Sequence, residues 1–214
     1  GELPVLDFPS DHPRPPFRDW RGETLARPLS PAVTAGLDAL ARAEGASLYA
    51  VTVALAKVLL HRHSGQDDIV LGSVVTGRDG ADLEAQIGFY VETVALRDTV
   101  SGDASFSALL ARVRRTVADA IDHRRYPFDR VVEDLALAPD RSRNPIFDVM
   151  LVYETRGAAR PETGSLRVSP LALANPVSKL DLTFHVSLEE AGLHLAIEYR
   201  RDLYAADRIT RLLA

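Results

Sequence analysis

The chain contains no cysteine. That removes disulfides, thiolate metal ligands and a cysteine nucleophile in one step, and it suits a cytoplasmic protein. No apolar run approaches the roughly 18 residues needed to cross a bilayer, and the N-terminus shows no basic-then-apolar export pattern. A basic surplus is also missing. Lys and Arg number 25 against 30 Asp and Glu, for a net charge of −5, which argues against a nucleic-acid binder. Neither GxGxxG nor GxxxxGK occurs, so Gly77 and Gly80 are turn residues rather than a phosphate cradle. There is no internal repeat or low-complexity block. What remains is 214 residues, 46% hydrophobic and 26% charged, enough for one domain with a substantial core.

The first 30 residues are rich in proline (Pro4, Pro9, Pro13, Pro15, Pro16 and Pro28), which forbids a continuous helix. Leu3, Val5, Leu6, Phe8, Phe17 and Trp20 are too apolar for a free linker, so residues 1–30 are expected to lie extended over a folded body. Ser30 followed by Pro31 starts a helix, and Gly45 stops it. Ser47 caps a second helix to about His63. Leu48, Val51, Leu55, Val58 and Leu59 make it apolar around most of its girth, hence buried. Gly65 ends it. Strands are expected at Ile69 to Val75, Phe89 to Arg97 and Ile146 to Tyr153, with a short helical turn between Leu83 and Gln86. Phe106, Leu109, Leu110, Val113, Val117 and Ile121 share one face of a helix from Phe106 to His123. Asp129 to Leu135 reads as a further short helix. Arg156 to Gly164 reads as a loop excursion, with a strand from Leu166 to Leu171 inside it. Leu180 to Leu188 and Leu193 to Tyr199 alternate around a turn and form a hairpin. A last helix begins near Ala205 and the chain stops within its apolar pattern. This order implies an α/β fold, a mixed β-sheet covered by helices.

Three segments carry more than fold. They are Ile87-Gly88-Phe89-Tyr90-Val91-Glu92-Thr93-Val94-Ala95-Leu96-Arg97, His123-Arg124-Arg125-Tyr126-Pro127-Phe128-Asp129, and Ser142-Arg143-Asn144-Pro145-Ile146-Phe147-Asp148-Val149-Met150. In this order they resemble IGxFVNTxxxR, HxxxPFE and SRNPLFxVMF, signature motifs of the condensation domains of nonribosomal peptide synthetases. Residues Leu3 to Pro15 resemble the LPxLxLPxDxPRP segment joining the two lobes of such domains. Lys179-Leu180-Asp181-Leu182-Thr183-Phe184 and Ile197-Glu198-Tyr199 extend the likeness towards the C-terminus. The resemblance implies one lobe of the chloramphenicol-acetyltransferase-like two-lobed fold. Residues 1–30 would be the inter-lobe lead-in, and residues 31–214 a C-terminal lobe whose final helix is cut short.

The same resemblance implies a function. Condensation domains join an acyl thioester to the amine of an aminoacyl thioester, both carried on phosphopantetheine arms of carrier proteins. The family's catalytic HHxxxDG motif lies upstream of all three segments, and no His-His pair occurs here. The catalytic histidine is therefore expected upstream of Gly1. No catalytic residue is expected in this chain, and by itself it should be inactive. The partners implied are the missing N-terminal lobe, upstream and downstream peptidyl carrier proteins and a neighbouring adenylation domain. No cofactor is bound directly, and no metal, nucleic acid or membrane is implied.

Candidate tunnel residues are Asn144, Glu92, Tyr90, Thr93 and Arg143. Asn144 is held extended by Pro145, and its amide can both donate and accept; alternatively it caps its own loop. Glu92 stands where the family has Asn, which places a carboxylate at an amide position. Arg141 and Arg78 are candidates for contact with a carrier or its phosphopantetheine. Arg141 and Arg143 could equally pair with Asp140 and Asp148. His61 and His63, two residues apart, cannot share a helix face as a metal pair would need. His123, His185 and His194 read as structural. The alternative function is a non-catalytic condensation-like module that recruits carrier proteins or tailoring enzymes. An epimerisation relative and a coenzyme A acyltransferase have weaker support.

Overall fold

A computed structural model of the chain describes residues 3–155 and 176–214. Gly1, upstream of which the catalytic histidine is expected, falls outside the described residues. The strands are β1 (Gly22–Pro28), β2 (Asp68–Thr76), β3 (Val91–Thr99), β4 (Val149–Thr155), β5 (Leu182–Glu189) and β6 (Gly192–Arg200). They form one mixed sheet in the order β1-β6-β5-β4-β2-β3. Pairings β4·β5 and β4·β2 are parallel; the other three are antiparallel. The helices are α1 (Pro31–Ala43), α2 (Leu48–Ser64), α3 (Ala81–Glu84), α4 (Phe106–Asp122), α5 (Phe128–Leu135) and α6 (Ala206–Leu213).

Local signals set the helix ends. Ser30, Ser47 and Ser105 each accept a backbone N–H three residues on, from Val33 (3.3 Å), Ala50 (3.1 Å) and Ala108 (3.2 Å). These are side-chain N-caps. Gly65 closes α2 in the left-handed region at φ +71°, where glycine has no steric penalty. In the β5–β6 hairpin Gly192 has φ +120°, so the two-residue turn Glu190-Ala191 depends on glycine there.

The sheet has two unlike faces. Leu71 lies opposite Leu96, and Leu151, Phe184 and Ile197 sit side by side across β4, β5 and β6. All are buried in the main core, which α2 and α4 share through Val51, Val53, Leu60, Leu110 and Val113. The opposite face carries a smaller core of Val70, Ile146, Phe147 and Leu180, covered by Phe128, Val131 and Val132 of α5.

Three boundaries differ from expectation. The lead-in does not stay outside the sheet. Residues 22–28 pair along their whole length with β6 as its edge strand, because Gly22 to Arg27 is free of proline and can donate to the ladder. β3 starts at Val91, leaving Ile87 and Phe89 exposed. β4 starts at Val149. Ile146 and Phe147 are buried in a turn instead, since the Asp148 carboxylate accepts the Asn144 N–H (3.1 Å) and bends the chain there. The expected strand from Leu166 to Leu171, and nearly all of the excursion from Arg156 to Pro176, lie outside the described residues.

Candidate functional site

The sequence candidates fall at opposite ends of β2, nine residues long and so about 25 Å at roughly 3.3 Å per residue. At the Thr76 end, residues 77–90 form an excursion between β2 and β3. Its base is closed by the Gly77 N–H donating to the Tyr90 carbonyl (2.8 Å). Arg78 lies over the Tyr90 ring, 4.3 Å from its centroid, and donates to the Leu83 carbonyl. The Tyr90 hydroxyl donates to Gln86 Oε1 (3.0 Å). Glu92 opposes Val75 and Thr93 opposes Val74. Consecutive strand residues point to opposite faces, so Glu92 and Thr93 cannot both line one wall. Glu92 lies on the α2/α4 side, and its carboxylate hangs over Gly77, 3.2 Å from where a Cβ would sit.

The second motif grips this excursion. Arg124 and Arg125 both pair with the Asp79 carboxylate, while Phe128 packs on Phe147. The basic pair thus sets the height of the excursion that carries Arg78, Tyr90 and the exposed Ile87 and Phe89.

At the other end the third motif is an internal knot. Arg200 is fully buried and donates to the Ser142 carbonyl (3.0 Å) and Asp181 Oδ1 (3.1 Å). Its remaining donors meet Asp202 (2.9 and 2.6 Å). Arg14 of the lead-in reaches the same Ser142 carbonyl (3.0 Å) and pairs with Asp181. Arg143 pairs with Asp148 and donates to the Leu6 carbonyl (3.2 Å). Burial, with Asp181 nearby, pushes the Asp148 carboxyl above its ordinary range despite Arg143. A buried charge is retained only when its partners are in place, so this knot ties the lead-in to the starts of β4 and β5 and the end of β6.

Asn144 accepts from Arg18 (2.6 Å) and donates to the Lys179 carbonyl (3.3 Å). It staples two distant segments rather than capping its own loop. Arg143 takes the pairing with Asp148 foreseen for it. Arg141 lies over the Phe17 ring instead of pairing with Asp140. The structure therefore brings Tyr90, Glu92, Thr93 and Arg78 together at one end and Asn144, Arg143 and Arg141 at the other. Sequence reasoning missed Arg14, Asp79, Asp181 and Arg200. Arg14 and Asp181 sit inside the family-like patterns Leu3 to Pro15 and Lys179 to Phe184, a signal that was there to follow. Arg200 and Asp79 carried none. Among the described residues no cluster of His, Asp and Glu could hold a metal ion.

Comparison with known proteins identifies the family. A family model for the condensation domain matches residues 1–214. The chain belongs to the condensation-domain family. It is 41% identical over 211 residues to one of the plipastatin synthase subunits of Bacillus subtilis (strain 168), covering 99% of this chain and 6% of that protein. It is 37% identical to surfactin synthase subunit 1 of the same organism, covering 100% of this chain and 6% of that protein. The chain therefore spans a small fraction of the length of these synthases. Among solved structures, the X-domain from teicoplanin biosynthesis superposes with a TM-score of 0.86 at 29% identity, covering 100% of this chain and 49% of that one. A four-domain nonribosomal peptide synthetase, holo-AB3403, superposes at 0.83 over 98% of this chain and 17% of its own; at 24% identity that shows the shared fold. The α/β sheet with flanking helices is thus the fold of condensation domains. No single helix among the described residues is long and apolar enough to cross a membrane.

Proposed function

We propose that this chain is the acceptor-side half of a condensation domain, contributing to peptide-bond formation between thioesters held on carrier proteins. The observation that carries the reading is coverage. The family model spans the whole chain, while the chain accounts for only 49% of a solved relative of the same fold. The other half, upstream of Gly1, would supply HHxxxDG and the general base, which must lie within hydrogen-bond reach of the amine proton.

The tunnel wall is assigned to the Thr76 end of the sheet. Tyr90 is held there by the Arg78 stack, and the Glu92 carboxylate lies over Gly77. Glu92 is the group that would meet the acceptor amine as an ammonium, and Arg78 the one nearest a phosphopantetheine phosphate. Thr93, on the other sheet face, would line the tunnel only from that side. Asn144, Arg143 and Arg141 lie a strand length away and have no part in this assignment. The substrates are the arms of upstream and downstream carrier proteins, with an adenylation domain as neighbour and the cytoplasm as the working compartment.

The test is reconstitution. The chain is incubated with loaded donor and acceptor carrier proteins, alone and with the polypeptide that carries HHxxxDG, and dipeptidyl thioester is measured by mass spectrometry. Product is expected only in the combined reaction; turnover by the chain alone would overturn the half-domain reading. A second reading is favoured by one comparison. An X-domain at 29% identity and TM-score 0.86 is solved in complex with OxyB, so a recruiting role would follow if the combined reaction stayed silent while the chain bound a tailoring enzyme.

A further inference from the structure

The Asp68 end of the sheet holds a cleft of about 670 Å³, within the roughly 300–1,000 Å³ range of small-molecule sites. It is a strand length from the proposed tunnel and serves no purpose in it. The floor is apolar, made by Val70, Val132, Leu137, Ile146 and Phe147. Leu3 and Leu6 of the lead-in form one wall. That wall is fixed in place: Gln66 donates to the Val5 carbonyl (2.9 Å) and accepts the Asp7 N–H (2.7 Å), and Arg143 donates to the Leu6 carbonyl (3.2 Å). The cleft is built before any ligand arrives, which lowers the cost of binding.

Most charges at the cleft are already engaged. Arg143 pairs with Asp148 and Asp68 with Arg97. Asp140 Oδ1 is turned into its own loop by the Ser142 N–H and hydroxyl, both at 2.7 Å. Arg141 remains, and Arg18 meets only neutral oxygens. The Arg18 N–H donates to the Arg141 carbonyl (3.2 Å), so the fold sets these two residues side by side. Each guanidinium lies over a half-exposed ring: Arg18 is 4.7 Å from the Trp20 centroid and Arg141 is 5.9 Å from that of Phe17. Arg18 also donates to Asn144 (2.6 Å) and the Lys179 carbonyl (3.4 Å). Among the described residues neither arginine meets a carboxylate. Both line the same cleft, and the planar fork of a guanidinium matches a carboxylate.

We propose that this cleft binds a small amphipathic carboxylate, its apolar body on the Val70–Ile146–Phe147 floor and its carboxylate met by the arginines that line the cleft, Arg141 and Arg18. The two features act together. An apolar floor alone would take any hydrophobe, and an arginine pair alone any anion; side by side they select a molecule carrying both.

The chain reports on this site itself, because Trp20 is its only tryptophan and lies under Arg18. Decanoate is titrated below its micelle concentration into the full 214-residue chain, with Trp20 fluorescence and calorimetry as independent readouts. Decanol, decyltrimethylammonium and acetate serve as matched probes. A saturable response to decanoate alone is expected, weakened at least tenfold by Arg141→Gln, which leaves the Trp20–Arg18 stack untouched. Ala138→Phe, which fills the cleft without altering either arginine, is expected to abolish it with an unchanged melting temperature. Equal binding of decanol or decyltrimethylammonium would overturn the proposal, as would a linear, unsaturable response. Binding of phosphopantetheine without decanoate would also overturn it and make the arginine pair a carrier contact. Because the readout involves no peptide-bond formation, its outcome is independent of the condensation reading.

Discussion

Phe147 packs against Gly72, so close that a Cβ at residue 72 would sit 2.2 Å from the ring. This one contact joins the third motif to the middle of β2 and seats the smaller core on the sheet.

Gly72→Ala is accordingly expected to destabilise the protein by about 1–3 kcal/mol, the usual cost of overpacking a filled core. Gly36 in α1 is the control. No atom lies within 4 Å of a Cβ there, so Gly36→Ala should be neutral or stabilise by about 0.5–1 kcal/mol through helix propensity. Urea melts of the two variants check this; equal losses would mean the Phe147 ring moves aside freely.

Lys57 is fully buried between α2 and β3, donating to the Leu96 carbonyl (2.7 Å) and Asp98 (2.5 Å). Thr116 of α4 donates to the other Asp98 oxygen (2.6 Å). Burial pulls the Lys57 ammonium below its ordinary range. Lys57→Met leaves Asp98 buried without its cation and is expected to cost about 3–5 kcal/mol. Lys57→Met with Asp98→Leu should recover much of that loss, since two apolar side chains need no partners. A double-mutant cycle by chemical denaturation decides, and additive losses would contradict the pairing.

The Arg14–Asp181 contact predicts a local effect rather than global unfolding. Arg14→Ala leaves Asp181 its second partner, Arg200, so the body should stay folded. The lead-in, however, loses its tie to the Ser142 carbonyl. Trypsin should then cut after Arg18 and Arg21 faster than in the parent chain, with the far-ultraviolet spectrum unchanged, because cleavage follows local opening. Unaltered cleavage would show that the other ties of the lead-in, through Gln66, Arg143, Asn144 and Arg208, hold it without Arg14.

Asp11 offers a pH test with a definite sign. Its carboxylate accepts from Arg208 (2.8 Å) and from the Ala205 N–H (2.9 Å) at the start of α6, and Arg208 holds its carboxyl below the ordinary value of 3.8. A lowered folded value gives stability that is present above 3.8 and lost as pH falls through the folded value. Asp11→Asn should therefore melt lower than the parent near about pH 7, and the gap should narrow as pH falls below 3.8. Asp148, with its carboxyl pushed up by burial, runs the other way: its favourable contribution is present below 3.8 and fades as pH rises. The comparison must accordingly be between the two chains, not read from the slope of either.

The helices were legible because their signals are local. Ser30-Pro31, Ser47 and Gly65 act on backbone within one turn, and the structure uses each as expected. The hairpin at residues 182–200 was legible for the same reason. The start of α6 was also read correctly, near Ala205, although Ala205 makes no side-chain cap and its N–H is met by Asp11, 194 residues away. β1 was hidden by the prolines around it and by a partner, β6, near the other end of the chain.

The family, the mixed α/β sheet and the residues worth examining were determined by the sequence alone, through motifs whose order is preserved along the chain. Only the tertiary structure decided where those residues lie. The three motifs look like parts of one site in the sequence, yet β2 holds Tyr90 and Glu92 a strand length from Asn144 and Arg143. The parallel pairing of β4 with β2 and β5 is what puts the Ser142 to Asp148 turn beside the lead-in rather than beside the excursion. Parallel neighbours share no turn, so no local pattern encodes their partner. The same long-range closure places Arg18 against Arg141 and buries Arg200 against Asp181, contacts whose energy exists only once the chain has folded around them.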